Sequence, residues 1–394
     1  MRIAGLFAGI GGLEVGLDSA GHATVLTCES WPPAQAVLRE RFALVPNHPD
    51  VTTLPDLPCG VDLVTAGFPC QDLSQAGKTV GIGGSRSSLV DHVFRLLDGA
   101  RVPWVLLENV SFMLHLDRGR AMERLVRAFE ERGYRWAYRV VNSLAFLPQR
   151  RERVFFLASR VADPADILMT DAIEPPILTT GLATHAHGFY WTEGTRGLGW
   201  AKDAVPTLKN GSTIGIPSPP AILLPDGRVI QPDIRDAERL QGFAADWSSP
   251  AETVGKASLR WSLVGNAVSV PVAAWIGQRL REPGRYDRSR DRAEVARDSW
   301  PKAARSDGRR RVIVEIGSFP VWRPRQPLTD FLRHPGKPLS LRATAGFLAR
   351  AKASRLRFEP GFLDRVQRHL ETMLGNSAVP ATVRGPADLA LGSG

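Results

Sequence analysis

The first 165 residues alternate short apolar runs with longer amphipathic stretches, and no other feature restricts the fold as much. Strand-like runs are expected at Arg2–Phe7, Ala23–Cys28, Val61–Ala66, Trp104–Leu107 and Val154–Ala158. Helical periodicity is expected between them, over Ala34–Phe42, Leu89–Leu97 and Arg120–Arg132. Short buried strands separated by helices predict an α/β domain, with a mostly parallel sheet covered on both faces. Ligands of such sheets bind at the C-terminal ends of the strands. The residues directly after each run are therefore the candidates for chemistry.

The texture changes near Asp163. Pro, Gly, Thr and Ser dominate up to Asp233, as in TEGTRGLGW and KNGSTIGIPSPP. This predicts a smaller, loop-rich second domain with short strands. Helical patterns return at Asp236–Phe243 and Val268–Arg281. The expected division is a catalytic and cofactor-binding domain over 1–163, completed by 258–284. A second domain spans 164–257, and a charged linker with a basic C-terminal extension spans 285–394. The linker expectation rests on 285–311, where ten basic and five acidic residues leave little to form a core. Beyond it, Pro360 is placed to open a helix with Phe362, Val366 and Leu370 on one face.

The chain has 394 residues and a formal net charge of +10, which favours a polyanionic partner. Only seven of its 50 basic residues are Lys, and Arg suits bidentate phosphate and guanine contacts. No apolar run reaches the roughly 18 residues of a membrane span. The glycine-punctured N-terminus argues against a signal peptide. Three cysteines, at 28, 59 and 70, make no disulfide framework and no CxxC zinc pair. No metal is expected, and the lone His185-x-His187 pair reads as a polar loop.

Phe7-Ala8-Gly9-Ile10-Gly11-Gly12 follows the first run, where glycines let the backbone approach a cofactor. The spacing is not GxGxxG, because Glu14 sits where the third glycine belongs. A nucleoside cofactor other than a dinucleotide is the better fit. The second run ends at Cys28-Glu29, an acidic residue placed for ribose hydroxyls, with Trp31 close enough to cover an adenine. Asp50-Val51 offers an acceptor for an adenine amino group. Gly67-Phe68-Pro69-Cys70-Gln71 follows the third run and presents Cys70 as a nucleophile. Cys59 precedes that run, at the other end of the sheet, and Cys28 reads as buried filler. Glu108-Asn109-Val110 ends the fourth run and offers a carboxyl whose pKa burial can raise. In Gln149-Arg150-Arg151-Glu152-Arg153, period-two alternation puts Arg151 and Arg153 on one side. They are placed to hold a base carbonyl, a phosphate or the catalytic carboxylate.

Taken in order, these motifs resemble the C5-cytosine DNA methyltransferase family of prokaryotic and phage restriction-modification systems. GLFAGIGG, GFPCQDLS, ENV and QRRER carry the resemblance, and RDAERLQGF at 235–243 and GNAVSVPVA at 265–273 complete it. It covers about residues 1–282. It implies a Rossmann-like fold, S-adenosylmethionine as methyl donor and a cytosine flipped out of double-stranded DNA. It implies Cys70 as nucleophile, Glu108 as the group that bonds or protonates N3, and Arg151 with Arg153 on the O2 side. It places Phe7, Gly9, Gly11 and Gly12 on the cofactor, with Glu29, Trp31, Asp50, Val51 and Pro69. The late motif folds back and brings Asn266 there too. Gln71 and Ser74 would face DNA from the nucleophile loop. Lys209, Asn210, Ser212 and Thr213, in AVPTLKNGSTIGIPSPP, are the groove-reading candidates in the target-recognition domain.

The resemblance further implies a prokaryotic or phage enzyme, cytoplasmic and nucleoid-associated in a bacterium, that works beside a paired restriction endonuclease. A monomer is expected because a single subunit can flip one base. Two departures stand out. Gly5 occupies a position that is usually acidic in the family, and Ser30 follows Glu29 where an apolar or aromatic residue is usual. An RNA cytosine methyltransferase, an inactive DNA-binding regulator and a nicotinamide or flavin oxidoreductase are the rival readings. Retention of both Cys70 and Glu108 weighs against the second, and the missing third glycine against the last.

Overall fold

In a computed structural model describing residues 1–68, 88–177, 179, 181–209, 219–295 and 300–377, the apolar runs assemble into one ten-stranded sheet. Its parallel half comprises β1 (Arg2–Leu6), β2 (Ala23–Cys28), β3 (Asn47–His48), β4 (Leu63–Ala66) and β5 (Trp104–Val110), in the order β3-β2-β1-β4-β5. Leu6 is in register with both Cys28 and Ala66, and Ala66 with Leu107. The segments after β1, β2, β4 and β5 therefore emerge along one edge. The order reverses at β1, which creates the crevice where ligands of such sheets bind.

The other half is antiparallel. β6 (Arg135–Asn142) and β8 (Glu152–Ser159) follow, with β8 between β5 and β6. An antiparallel β8 starts where β5 ends, with Arg153 opposite Val110. This reversal delivers QRRER to the same edge as ENV. The sequence pattern conceals β6 because Arg135 and Arg139 interrupt it. Arg139 is fully buried, and its guanidinium donates to the carbonyls of Gly317, Leu168 and Asp171.

The expected linker over 285–311 is not one. β14 (Asp291–Glu294), β15 (Ala303–Ser306) and β16 (Arg311–Val314) extend the central sheet, β15 pairing with β6. Part of the charge that suggests solvation goes into ion pairs: Arg305 with Asp291 at 2.6 Å, and Arg311 with Glu123 and Glu130, each at 2.6 Å. Trp300 closes this end, tilted against Trp136 and Tyr138.

A second, five-stranded sheet has the order β10-β9-β12-β13-β17. It uses β9 (His187–Phe189), β10 (Ala201–Lys202), β12 (Ala221–Leu223), β13 (Val229–Gln231) and, from far downstream, β17 (Lys337–Pro338). Helices Leu341–Lys352 and Phe362–Ser377 share its core, where Phe347, Phe362 and Val366 pack with Phe189 and Val229. The C-terminal extension is thus divided between the two sheets. The His185-x-His187 pair is not a polar loop either. His187 is fully buried in β9 and stacks on Trp200. Between the sheets, β7 (Gln149–Arg150) pairs in parallel with β11 (Val205–Pro206).

Late helix Val270–Arg281 packs on the first helix, Gly12–Ser19, through glycines. A Cβ on Gly12 would collide with the Val268 carbonyl, and one on Gly16 would lie 2.5 Å from Ala273 Cβ. Beside them, Gly5 leaves room for the Glu14 carboxyl, which is 1 % exposed and accepts from Thr65 Oγ1 at 2.9 Å. Burial pushes the Glu14 pKa up from 4.5 to about 7. The folded protein thus holds this proton more tightly than the unfolded chain. The resulting stability is present below pH 4.5 and is lost as pH rises toward 7, on the order of 3 kcal/mol in all. Glu14→Gln keeps the shape and cannot ionise. Urea unfolding is expected to find the variant increasingly more stable than the parent from pH 5 to pH 8. A difference independent of pH would refute this.

Candidate active site

The edge where β1, β2, β4 and β5 end borders a cavity of about 650 Å³. Phe7, Gly9, Glu29, Ser30 and Trp31 line it from the β1 and β2 side. Gly67, Phe68, Glu108, Asn109, Arg151 and Arg153 line it from β4, β5 and β8, and Gly265, Asn266 and Ala267 from the late motif. Residues separated by more than 250 positions thus meet at one site.

The glycine loop has three distinct tasks. Phe7 holds a left-handed φ of 54°, a strained state for an aromatic residue. Gly9, at φ 57°, has no atom within 4 Å of a Cβ position and faces open space. Gly11 instead turns against the Phe42 ring, and Gly12 against Val268. Neither lines the cavity. The Glu29 carboxylate accepts from the backbone N–H of Gly9 and of Trp31, each at 2.8 Å. Two rigid donors fix its orientation, and each oxygen retains acceptor capacity. Asp50 and Val51 also lie away from the lining. Asp50 accepts from the Thr52 N–H at 2.8 Å, and Val51 is buried in the core.

Across the cavity, Glu108 is 7 % exposed. Burial raises its carboxyl pKa, and the charges of Arg153 and Arg151 oppose that rise. Arg153 Nε lies 3.2 Å from Glu108 Oε1 but is not aligned for a hydrogen bond, leaving that oxygen buried and unpartnered. Asn109 Nδ2 donates to the Phe68 carbonyl at 2.9 Å and anchors the start of the GFPCQ segment. Pro69, Cys70, Gln71 and Ser74 themselves lie outside the described residues, as do Asn210, Ser212 and Thr213.

Arg151 does more than its spacing suggests. It donates to the carbonyls of Leu208, Gly265 and Ala267 at 3.0, 3.2 and 2.8 Å. It therefore clamps the second domain and the late motif to the catalytic arm. Gln149 extends the clamp, donating to the Leu240 carbonyl and accepting from the Leu208 N–H. Sequence reasoning missed this role of Gln149 and Asn109. Their only signal was their place beside charged motif residues. Lys209 is the last described residue before position 219. Its ammonium pairs with Glu193 at 2.5 Å and sits 3.8 Å from the Tyr190 ring centroid.

A crevice at a strand-order switch, an acidic residue after β2 and a glycine turn after β1 are the features of a Rossmann-like fold that holds a nucleoside cofactor. The fold agrees with the crystal structure of the S. pombe Dnmt2 methyltransferase, at TM-score 0.52 and 16 % identity over 72 % of this chain and 98 % of that one. Residues 1–185 match the family model described as C-5 cytosine-specific DNA methylase. The Type II methyltransferase M2.BsuMI of Bacillus subtilis is 44 % identical over 382 residues, 93 % of this chain and 98 % of that one. The Type II methyltransferase M.HhaI of Haemophilus parahaemolyticus is 33 % identical over 41 % of this chain and 49 % of its own length. The chain belongs to the C5-cytosine-specific DNA methyltransferase family. Among the described residues, no helix is long and apolar enough to cross a membrane.

Proposed function

We propose that the protein methylates C5 of a flipped-out cytosine in one short double-stranded DNA sequence, as the modification half of a restriction-modification system. The observation that carries this reading is the convergence of Glu108, Arg153, Glu29 and Gly9 on one cavity. S-adenosylmethionine fits the donors present. Glu29 offers fixed carboxylate oxygens, Gly9 leaves open space beside the loop, and Trp31 and Phe7 provide apolar faces. Asn266 would contact it from the late motif. When bound, this cofactor supplies an electrophilic methyl group for C5.

Flipping removes the base from its stack at a cost of a few kcal/mol. The Cys70 thiolate then forms a bond to C6, and the displaced electron pair moves onto the ring toward N3 and C5. Glu108 meets the charge at N3 by donating a proton or hydrogen bond. Arg153 holds the Glu108 side of the pocket, and Arg151 fixes the loop geometry. After C5 is methylated, its proton passes to water. The electron pair left behind returns to the ring and expels the Cys70 thiolate, and N3 gives any proton it took back to Glu108. The base regains aromaticity.

In this reading, 1–163 with 258–284 and the added strands β14–β16 form the catalytic body, and the second sheet carries target recognition. One subunit suffices, because one active site handles one flipped base. A paired endonuclease would act on the same sequence without having to bind this protein. The setting would be bacterial cytoplasm, with the protein on the nucleoid. Bisulfite sequencing of DNA from a methylation-deficient host tests the proposal. Expression should protect cytosines in one short recurrent sequence, against none with an empty vector. Complete conversion despite abundant folded protein would defeat it and direct attention to RNA substrates.

A further inference from the structure

Two polar atoms of the cavity wall, Glu108 Oε1 and Arg151 Nε, are buried without a hydrogen-bond partner. Outside the cavity lining, the hydroxyl of Tyr190, a residue 4 % exposed that lies just beyond β9, is likewise buried without a hydrogen-bond partner. An unpaired buried hydroxyl is destabilising, so it calls for a reason. The Tyr190 ring is closely held. Gly199, at φ 62°, approaches so tightly that its Cβ would stand 2.6 Å from the ring, and the Lys209 ammonium lies over the ring. The segment bearing Lys209 is fastened to the catalytic arm. Leu208 accepts from Arg151 and donates to Gln149, and Thr207 Oγ1 donates to the Arg150 carbonyl. The charges of Arg151, Arg153 and Arg150 act on the phenol. Burial outweighs them and raises its pKa, so the hydroxyl stays neutral.

We propose that Tyr190 is a positioning residue for methyl transfer, its hydroxyl oxygen accepting a hydrogen bond from the Arg151–Arg153 side of the pocket when the target base is bound. Lys209 links this to recognition. Its partner Glu193 is a carboxylate that a DNA phosphate or base edge can displace, and the Lys209 stem then holds the Tyr190 ring in its working position. The proposal rests on reading the cavity as the cytosine pocket.

Tyr190→Phe separates the possibilities, assayed on a duplex carrying the sequence protected in the bisulfite experiment. The variant loses only an oxygen that has no partner in the free protein, so its melting temperature should be unchanged or higher. Its kcat should fall about tenfold, with KM for S-adenosylmethionine unchanged. A kcat within twofold of the parent overturns the proposal. So does a lowered melting temperature with kcat and KM changed together, which marks a packing role. If the parent transfers no methyl group to any duplex, the reading of the cavity itself fails. An active parent with an equally active variant sinks only the role of Tyr190.

Discussion

Glu108→Gln is expected to lower kcat by about 10²–10⁴-fold, the range for losing a positioned general acid. The carboxyl is 7 % exposed and its pKa is raised by burial, though Arg153 and Arg151 pull against that. Its protonated form therefore persists to higher pH than that of an exposed glutamate. A proton is then available for N3 as Cys70 adds to C6. Glutamine matches the shape and can still donate a hydrogen bond, but it cannot release a proton. KM for S-adenosylmethionine should stay within about twofold, because Glu29, Trp31 and the Gly9 loop lie on the other side of the cavity. The pH profile adds a second signature. The parent's single-turnover rate should fall on the alkaline side as Glu108 ionises, and the variant should lack that limb. Rapid-quench measurement of methyl transfer checks both points. A loss smaller than tenfold would remove Glu108 from the chemistry.

The parallel half of the sheet was legible because each buried strand is a short apolar run and each chemical motif begins where a run ends. Glu29, Glu108 and the Gly9 loop could be assigned to one edge before any contact was known. In the antiparallel half, β8 was legible as the run Val154–Ala158 but its direction was not, since local pattern says nothing about strand direction. Spacing alone puts Arg153 near Glu108 only if β8 runs against β5. β6 is hidden by Arg139, whose charge reads as solvent-facing but is buried and donates to three backbone carbonyls. The same error hides β14–β16, because cross-strand pairs such as Arg305–Asp291 look like a charge run when read along the chain. Within the site, sequence named Arg151 but not its duty as a clamp, which depends on carbonyls from Leu208, Gly265 and Ala267. Gly11 and Gly12 show the converse. Their small size serves packing against Phe42 and Val268, which a motif match cannot separate from ligand contact.

Arg260→Met should destabilise the fold by about 3–5 kcal/mol, the usual cost of stripping a buried carboxylate of its cation. The Arg260 side chain is 8 % exposed, and that of its partner Glu238 is fully buried at 2.9 Å. The same guanidinium reaches Glu252 at 2.9 Å, Asp246 at 3.1 Å and Ser248 Oγ at 3.0 Å. Methionine fills much of the volume but leaves Glu238 with only the Ser248 hydroxyl and N–H as donors. The damage should reach the cofactor loop. Trp247, in the segment this network braces, donates its indole N–H to the Ile10 carbonyl at 2.9 Å, and Arg41 donates to the Trp247 carbonyl at 3.0 Å. Helix Leu259–Asn266 carries Arg260 near its start and Asn266 at its end, so losing the anchor also frees the late motif. Affinity for S-adenosylmethionine should therefore fall together with the urea midpoint. The double variant Glu238→Gln/Arg260→Met should recover part of the loss, because no buried charge then stands alone. A single variant within 1 kcal/mol of the parent, or a double variant no better than the single, would show that packing and not charge pairing holds these helices together.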